Sequence, residues 1–554
     1  MQKQNDGALD RANRIIKRQS QLESNRSTFK QQWQEIDEQI GTSPSYWHNN
    51  INTPGKKTTD KVFDTTAAQA NQRFVAALSS TLTPRSQKWH GLKAPVPQLD
   101  EDKEVNVYLD SVTNILFAVR YDPAANFESQ INECYSSLGK YGTACMFIDD
   151  EVGKGIRYKS IPLSQIYIAE NSAGIVDTVF RKFRYTAYQA VDAWGKDKVS
   201  EKILLALDKN PEQEFDFIHA VYPNEDYLPG KAGRFKFYSC YIERETRHVI
   251  SEGGYRTMPY AVSRYITEPN EIYGRSPAML VLPEIKTLNR ARKAVLQGAE
   301  KIVNPPLLAH DDLLADGLNT QPGGINYGAI GEDGRLLIQP LQTGARVDIG
   351  VDQINQMRQA INDAFLVTLF QILVEDRTMT ATEVEYRQQE KGQMLAPTMG
   401  RQQAELLAPM IERELDILSM YGILPPMPEV ILQFGGAIEI KYDAPLNKIM
   451  RSPEAIAILN TLQTAAGIAQ FDPSVLQMFD IEEAMRTIAE IRGVPAKIIK
   501  STEEIAAMKA AQAQQQQLQQ VLQAAPIAAQ TAKDFAQAQQ AATSAGPAAN
   551  LGVG

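Results

Sequence analysis

The spacing of apolar residues changes twice along this chain of 554 residues, and that change limits the fold more than any other feature. From Ala12 to Ile40 the repeat is helical: Ile15, Leu22, Phe29 and Ile36 stand seven apart, with Trp33 and Ile40 on the same face. The run is too short for a sustained coiled-coil seam and predicts an amphipathic helix laid on a domain surface. A second helix is expected from Thr65 to Leu82, ending before Thr83-Pro84, with Trp89 on an extended segment beyond it. Between roughly Ala144 and Tyr265 the period falls to two. Cys145–Ile148, Ile166–Ile168, Val176–Tyr185, Phe215–Val221 and Phe235–Ile242 are short, aromatic or β-branched runs separated by Gly, Asn and Asp, and they read as antiparallel strands. Asn171-Ser-Ala-Gly174 between two of them is hairpin chemistry, since Gly accepts the positive φ such turns require.

After Tyr273-Gly-Arg-Ser-Pro277 the helical period returns. A helix is predicted from Ala278 to Val303, closed by Asn304-Pro305-Pro306, because proline disfavours the α conformation of the residue before it. Residues 305–350 are rich in Gly and Pro with short apolar runs such as Leu336–Ile338, and read as a small β or loop module before a helix from Val351 to Leu373. Thr380-Ala-Thr-Glu383 is a capping-box pattern that opens a long helix to about Tyr421, with kinks expected at Pro397 and Pro409 and a stop at Gly422 and Pro425-Pro426-Met427-Pro428. A strand pair around Val430–Tyr442 and helices from Ser452 to Arg492 follow. From Ala510 onward Ala and Gln dominate, a composition that suits either a long helix or disorder. The fold class is α+β, mainly helical.

Composition narrows the function classes. Lys and Arg number 57 against 66 Asp and Glu, a formal charge of -9, which argues against holding nucleic acid by broad phosphate neutralisation. Length alone suggests roughly three to four domains. Cys134, Cys145 and Cys240 offer neither a disulfide framework nor a four-cysteine zinc site, and fit synthesis in a reducing cytoplasm. The opening MQKQNDGALDRANRIIKRQ lacks the apolar core of a signal peptide, and the apolar stretch Ala364–Val374 is shorter than the ~20 residues a bilayer needs, so no membrane partner is expected.

Chemical motifs are scarce. Gly55-Lys56-Lys57-Thr58 fails the phosphate-loop pattern, because Asn50 stands where the first glycine belongs and Lys57 separates Lys56 from Thr58; it reads as a solvated basic turn. No GxSxG, HExxH or GxGxxG occurs. His48, His90, His219, His248 and His310 are scattered; His310-Asp311-Asp312 is the one cluster with possible ligand chemistry and reads rather as a surface or loop feature, and Asp149-Asp150-Glu151, at a strand end, reads as an exposed turn without calcium-loop spacing. Catalytic residues, metal and cofactors are all predicted to be none.

The informative helix is Ala278–Val303. At 100° per residue Lys286, Arg290, Lys293, Gln297 and Lys301 share one sector, while Val281, Ile285, Leu288, Val295, Ala299 and Ile302 lie roughly opposite. The basic sector is either a solvated stripe or a surface that meets an anion. Arg292 falls on the apolar side, which predicts an acidic partner on another helix or subunit.

Tyr273-Gly-Arg-Ser-Pro277, Leu282-Pro-Glu-Ile-Lys286, Leu288-Asn289 and Asn304-Pro-Pro-Leu307 together resemble the portal proteins, or head-to-tail connectors, of short-tailed bacteriophages. Leu78–Pro84 with Trp89, Ile161-Pro-Leu163 leading to Gly174, Thr380–Glu383, Leu407-Ala-Pro409, Gly422–Pro428 and Tyr442-Asp-Ala-Pro-Leu446 agree, in order, over about residues 10 to 500. The resemblance implies a portal-type fold: 1–277 wing, 278–304 first stem helix, 305–350 clip, 351–373 second stem helix, 374–379 tunnel loop, 380–450 long kinked wing helix and strands, 451–509 crown, and 510–554 barrel helix or flexible tail. It implies a homo-dodecameric ring at one capsid vertex of the virion, through which viral double-stranded DNA passes with weak, non-specific contact. Implied partners are the terminase large subunit, a tail adaptor protein, and the major capsid and scaffolding proteins. Lys286, Arg290, Lys293 and Lys301 become candidates for the DNA channel or a subunit interface, and Glu375, Asp376, Arg377, Thr378 and Met379 for the tunnel loop. A metal-dependent DNA-processing enzyme and a structural coat or filament protein are the alternatives.

Overall fold

A computed structural model describes residues 2–40, 61–94, 102–151, 155–227, 235–309, 347–371, 397–433, 445–469 and 473–492, with shorter stretches inside 95–101, 319–341, 435–442 and 505–515. Gly55–Thr58, His310–Asp312, Thr380–Glu383 and residues 516–554 lie outside the described residues. The chain divides into two compact units rather than the three or four that length suggests. Met1–Leu92, Asp110–Pro426 and Ile440–Glu454 form one; Lys93–Leu109, Met427–Glu439 and Ala455–Gly554 form the other.

In the larger unit the helical face predicted over Ala12–Ile40 is present but interrupted. Helices α1 (Gln2–Asn25) and α2 (Ser27–Ile40) meet at Arg26. This arginine is buried, donates to the carbonyls of Leu163 at 2.8 Å, Ser164 at 3.1 Å and Ile166, and lies over the Tyr167 ring at 4.0 Å. Trp33 on α2 donates to the Tyr141 carbonyl, and the Tyr141 hydroxyl donates to Asp37 at 2.5 Å, which fastens α2 to the end of a later helix. Helix α3 (Thr66–Leu82) follows as predicted. A short strand, β1 (His90–Lys93), directly follows Trp89, where an extended segment was expected; helices α4 (Lys103–Arg120) and α5 (Phe127–Tyr141) come next and were not assigned from sequence.

The period-two region builds two antiparallel sheets. β2 (Thr143–Glu151), β3 (Gly155–Ser160) and β9 (Tyr260–Arg264) form the smaller, in the order β3-β2-β9. The larger is a five-strand meander of β4 (Ile166–Glu170), β5 (Val176–Thr186), β6 (Glu214–Pro223), β7 (Phe237–Glu243) and β8 (Val249–Tyr255). The Asn171–Gly174 turn is present: Asn171 Oδ1 accepts from the Ala173 and Ile175 amides, and Gly174 takes φ +76°. Both faces of the meander are covered. Phe180, Ile218, Ala220 and Cys240 pack with Ala12 and Ile15 of α1, while Val179, Val221 and Phe237 face a core with Trp33, Tyr260 and Tyr273.

Two helices inside this region, α6 (Ala187–Trp194) and α7 (Glu201–Lys209), depart from the all-strand expectation. They cover Phe183, Phe215 and Phe217 at one end of the meander, where exposed phenylalanines would otherwise meet water. The signal was present in Thr186-Ala-Tyr-Gln189, a capping box in which the Thr186 hydroxyl accepts from the Gln189 amide and the Gln189 side chain accepts from the Thr186 amide. Asp149 and Asp150 are not in a turn either. They end strand β2, where Asp149 pairs with Arg413 at 3.0 Å and Asp150 accepts from the Tyr421 hydroxyl.

Beyond β9 come α8 (Pro277–Leu280), α9 (Leu282–Val303), β10 (Leu307–Ala309), β11 (Ile338–Pro340), α10 (Val347–Ala364) and α11 (Val367–Gln371). β10 and β11 pair antiparallel, in keeping with the small β module predicted there. A π-helical turn over Gln403–Leu407 leads into α12 (Ala408–Met420), with Pro409 in its first turn. Proline cannot donate to the preceding turn, and the widened π turn absorbs that missing bond at the predicted kink. Gly422, at φ +65°, stops α12 as expected.

Helix α12 returns to the sheets from far along the chain. Arg120 is wholly buried and donates to both Glu414 oxygens, at 3.1 and 2.5 Å; Tyr158 donates to the same carboxylate at 2.6 Å. Arg264 on β9 likewise meets Glu405 and Glu170, each at 2.8 Å. Where a strand pair was expected over Val430–Tyr442, the chain forms a short helix, α13 (Glu429–Gln433), and one strand, β12 (Glu439–Tyr442). α14 (Pro445–Ile468) continues into the smaller unit, which also holds α15 (Ile481–Arg492). Ala465, Ile488 and Ile491 are buried there, and Met478 and Met485 are exposed.

Candidate functional site

The Tyr273–Pro277 motif is a joint between sheet and helix. The Tyr273 hydroxyl accepts from the Ile168 amide, and the Gly274 amide donates to Thr143 Oγ1 at 2.9 Å. A side chain at Gly274 would come within 2.2 Å of the Gly142 carbonyl, and one at Gly142 within 2.4 Å of the Gly274 carbonyl, so the two backbones touch only because both are glycine. Ser276 Oγ donates to the Lys140 carbonyl and accepts from the Met279 amide, capping α8, with Pro277 at the first helical position.

The single helix predicted over Ala278–Val303 is two. Pro283 has no N–H for the Met279 carbonyl, and the helix restarts at Leu282. Helix α9 then packs against α10, and its root is held by the buried Asn289. Asn289 Oδ1 accepts from the amides of Phe63 and Asp64, at 2.9 and 3.0 Å, while its Nδ2 donates to Gln39 Oε1 at 3.1 Å. Asp64 accepts from the Thr66 amide and hydroxyl and from Arg358 of α10 at 2.6 and 3.0 Å. Burial would raise its carboxyl; the bonds from Thr66 and the Arg358 guanidinium overcome burial and hold the pKa below the usual aspartate range.

Ile285 and Leu288 are buried on the predicted apolar face of α9. On the basic face Lys286 pairs with Glu35, and Lys293 lies 5.3 Å from the centre of the Phe63 ring. Arg290 and Lys301 are exposed and have no ion-pair partner among the described residues. The face therefore exists as read, but two of its four cations are engaged within the chain. Toward β10 the apolar side loses its cover: Ile302, Leu308, Tyr327 and Leu336 are exposed. The Val351–Leu373 helix is also interrupted, at Leu366, which takes φ +58° between α10 and α11. Neither Gly nor Pro marks that break; the buried Phe365, packed against Phe74, accompanies it. Glu375, Asp376, Arg377, Thr378 and Met379 lie outside the described residues.

Asp64 and Arg358 were not singled out from sequence. Asp64-Thr65-Thr66 ahead of an apolar helix was a usable turn signal, whereas nothing local marks Arg358 as its partner. Among the described residues no group of His, Cys, Asp and Glu could hold a metal ion, and no helix is long and apolar enough to cross a membrane. Cys134, Cys145 and Cys240 are free and buried.

The model of the bacteriophage head to tail connecting protein family matches residues 12–499. The chain is 27% identical over 546 residues to the portal protein of Salmonella phage epsilon15, covering 96% of each, and 27% identical over 507 residues to the probable portal protein of Bordetella phage BPP-1, covering 89% of this chain and 90% of that one. A solved neck structure of an empty GTA particle aligns at a TM-score of 0.35 and 11% identity over 71% of this chain and 86% of that one, too distant to carry argument. The chain belongs to the bacteriophage head-to-tail connecting proteins, the portal proteins of short-tailed phages, and is a structural connector rather than an enzyme.

Proposed function

We propose that twelve copies close into a ring at one capsid vertex, and that α9 and α10 line or buttress a central channel through which viral DNA is packaged and ejected. One observation carries this reading: an anchored helix pair with a basic face bears a small β module whose apolar side chains stand exposed in the single chain. Apolar surface of that kind is covered by assembly. In the ring, α9 and α10 act as the stem, residues 305–350 as the clip that docks the terminase large subunit and later the tail adaptor, the two sheets with their helices as the wing, and the helices after Ser452 as the crown. Capsid and scaffolding proteins meet the wing. On the basic face of α9 Arg290 and Lys301 are exposed without an ion-pair partner among the described residues, so they are the first candidates to face DNA, ahead of Lys286 and Lys293. Glu375, Asp376, Arg377, Thr378 and Met379, outside the described residues, stay assigned to the constriction on the family resemblance.

Electron microscopy of the purified protein tests this. Closed rings with a central channel are the expected result. Monomers at high concentration overturn the reading, and sheets or open helices place the chain with coat or filament proteins instead.

A further inference from the structure

A pocket of about 450 Å³ opens where α3, α9 and α10 meet, and three arginines line it: Arg73, Arg292 and Arg358. Asp64 is the lone acidic group in its wall and already accepts from Nε and Nη2 of Arg358. Arg73 and Arg292 have no ion-pair partner among the described residues. Arg292 also interrupts a defined stripe. On α9 it shares a face with Ile285 and Leu288, which are buried, and with Leu296 and Val303, which are 42% and 85% exposed. The stripe that forms core at the root of the helix thus runs out through an arginine pocket onto uncovered apolar surface.

We propose that this pocket receives a carboxylate side chain from a second copy of this chain, at the contact between neighbouring subunits; the proposal rests on the ring reading and deepens it. Guanidinium groups match a carboxylate two bonds at a time, and three arginines in the wall of one concavity suit a single compact oxyanion. Duplex DNA presents phosphates in series along a convex surface, which a pocket behind a helix pair does not follow. Charge complementarity favours another copy: the chain has 66 acidic against 57 basic residues. Two of its acidic groups, Glu300 on α9 and Asp352 on α10, are exposed on the same helix pair and unpaired among the described residues. A head-to-tail contact, arginine pocket on one subunit and acidic side chain from the next, is the kind that closes rings.

The test compares wild type with Arg73→Glu and Arg292→Glu, using sedimentation velocity and electron microscopy across protein concentration, with Lys209→Glu on a distant exposed helix end as the charge control. Circular dichroism melts establish that each variant is folded; should a reversal melt early, Arg73→Gln and Arg292→Gln enter the same comparison. The expected result is rings from wild type and Lys209→Glu, and folded pocket variants whose half-assembly concentration rises by about tenfold or more. Rings at the wild-type concentration from the pocket variants overturn the proposal. Unchanged rings with weakened binding of a 30-base-pair duplex overturn it in favour of a phosphate site. A wild type that forms no rings removes the ring reading itself, a separate outcome seen before any variant is compared.

Discussion

His90 sits against the buried Arg120, its Nε2 2.8 Å from the guanidinium, with the Phe117 ring stacked on it. Burial, and then the charge of Arg120 with a lesser push from Lys88, drives its pKa well below 6.5, so it stays neutral in the folded chain. His219, enclosed between Tyr260 and Ser239, is driven down by burial and by Arg181. Below pH 6.5 the unfolded histidines take up protons that the folded ones refuse, so their contribution to stability is complete above 6.5 and is lost as pH falls beneath it. Asp149 acts in the opposite sense. Burial raises its carboxyl to about 6 against the Arg413 charge, so it takes up its proton in the folded state first and offsets part of the loss. Urea titrations of wild type and His90→Gln between pH 7.5 and 5 separate these contributions. The wild type is expected to lose about 1.4 kcal/mol more per pH unit below 6.5 than the variant; parallel curves would show that His90 does not resist protonation. At this scale sequence identified Lys286 and Lys293 as one face, but not their partners Glu35 and Phe63. Those pairings join residues more than 200 positions apart and arise only from packing.

The elements were legible where periodicity was strong. Five of the strands and the helix over Thr66–Leu82 fall where alternation and turn residues placed them. The breaks were less so. Proline accounts for the restart after Leu280, whereas the interruption at Leu366 carries no Gly or Pro and is accompanied by the burial of its neighbour Phe365. The contact of Gly142 with Gly274 also belongs to this scale, because it joins the end of α5 to the start of the segment that launches α9. Gly142 holds φ +76°, and an added methyl group would meet backbone, which cannot rotate away. Gly142→Ala is expected to lower stability by about 2–4 kcal/mol, from left-handed strain and overpacking together. A thermal melt checks it; a melting temperature within a degree of wild type would mean the two segments separate at no cost.

For the whole molecule, the formal charge of -9 acquires a location. In the proposed ring of twelve it would be multiplied twelvefold and would repel DNA from much of the surface, within a screening length of about 8 Å at physiological salt, while Arg290 and Lys301 stand exposed on the basic face of α9. A conduit requires weak contact. Purified protein is therefore expected to bind linear duplex DNA with Kd no tighter than about 10⁻⁶ M at 150 mM salt, measured by fluorescence anisotropy; nanomolar binding would contradict a low-grip channel. The sequence by itself determined the α+β class, five of the strands and the helix after Thr65, the two faces of α9 and, through its motif blocks, the family, because these depend on local spacing and residue type. Tertiary structure alone decided that three segments separated in sequence, from Met1 as far as Glu454, share one compact unit, that Arg120 and Glu414 are buried as a pair, and that Arg73, Arg292 and Arg358 line one pocket. The physical reason is distance along the chain: a period shows which face a residue occupies, and only folding shows what that face meets.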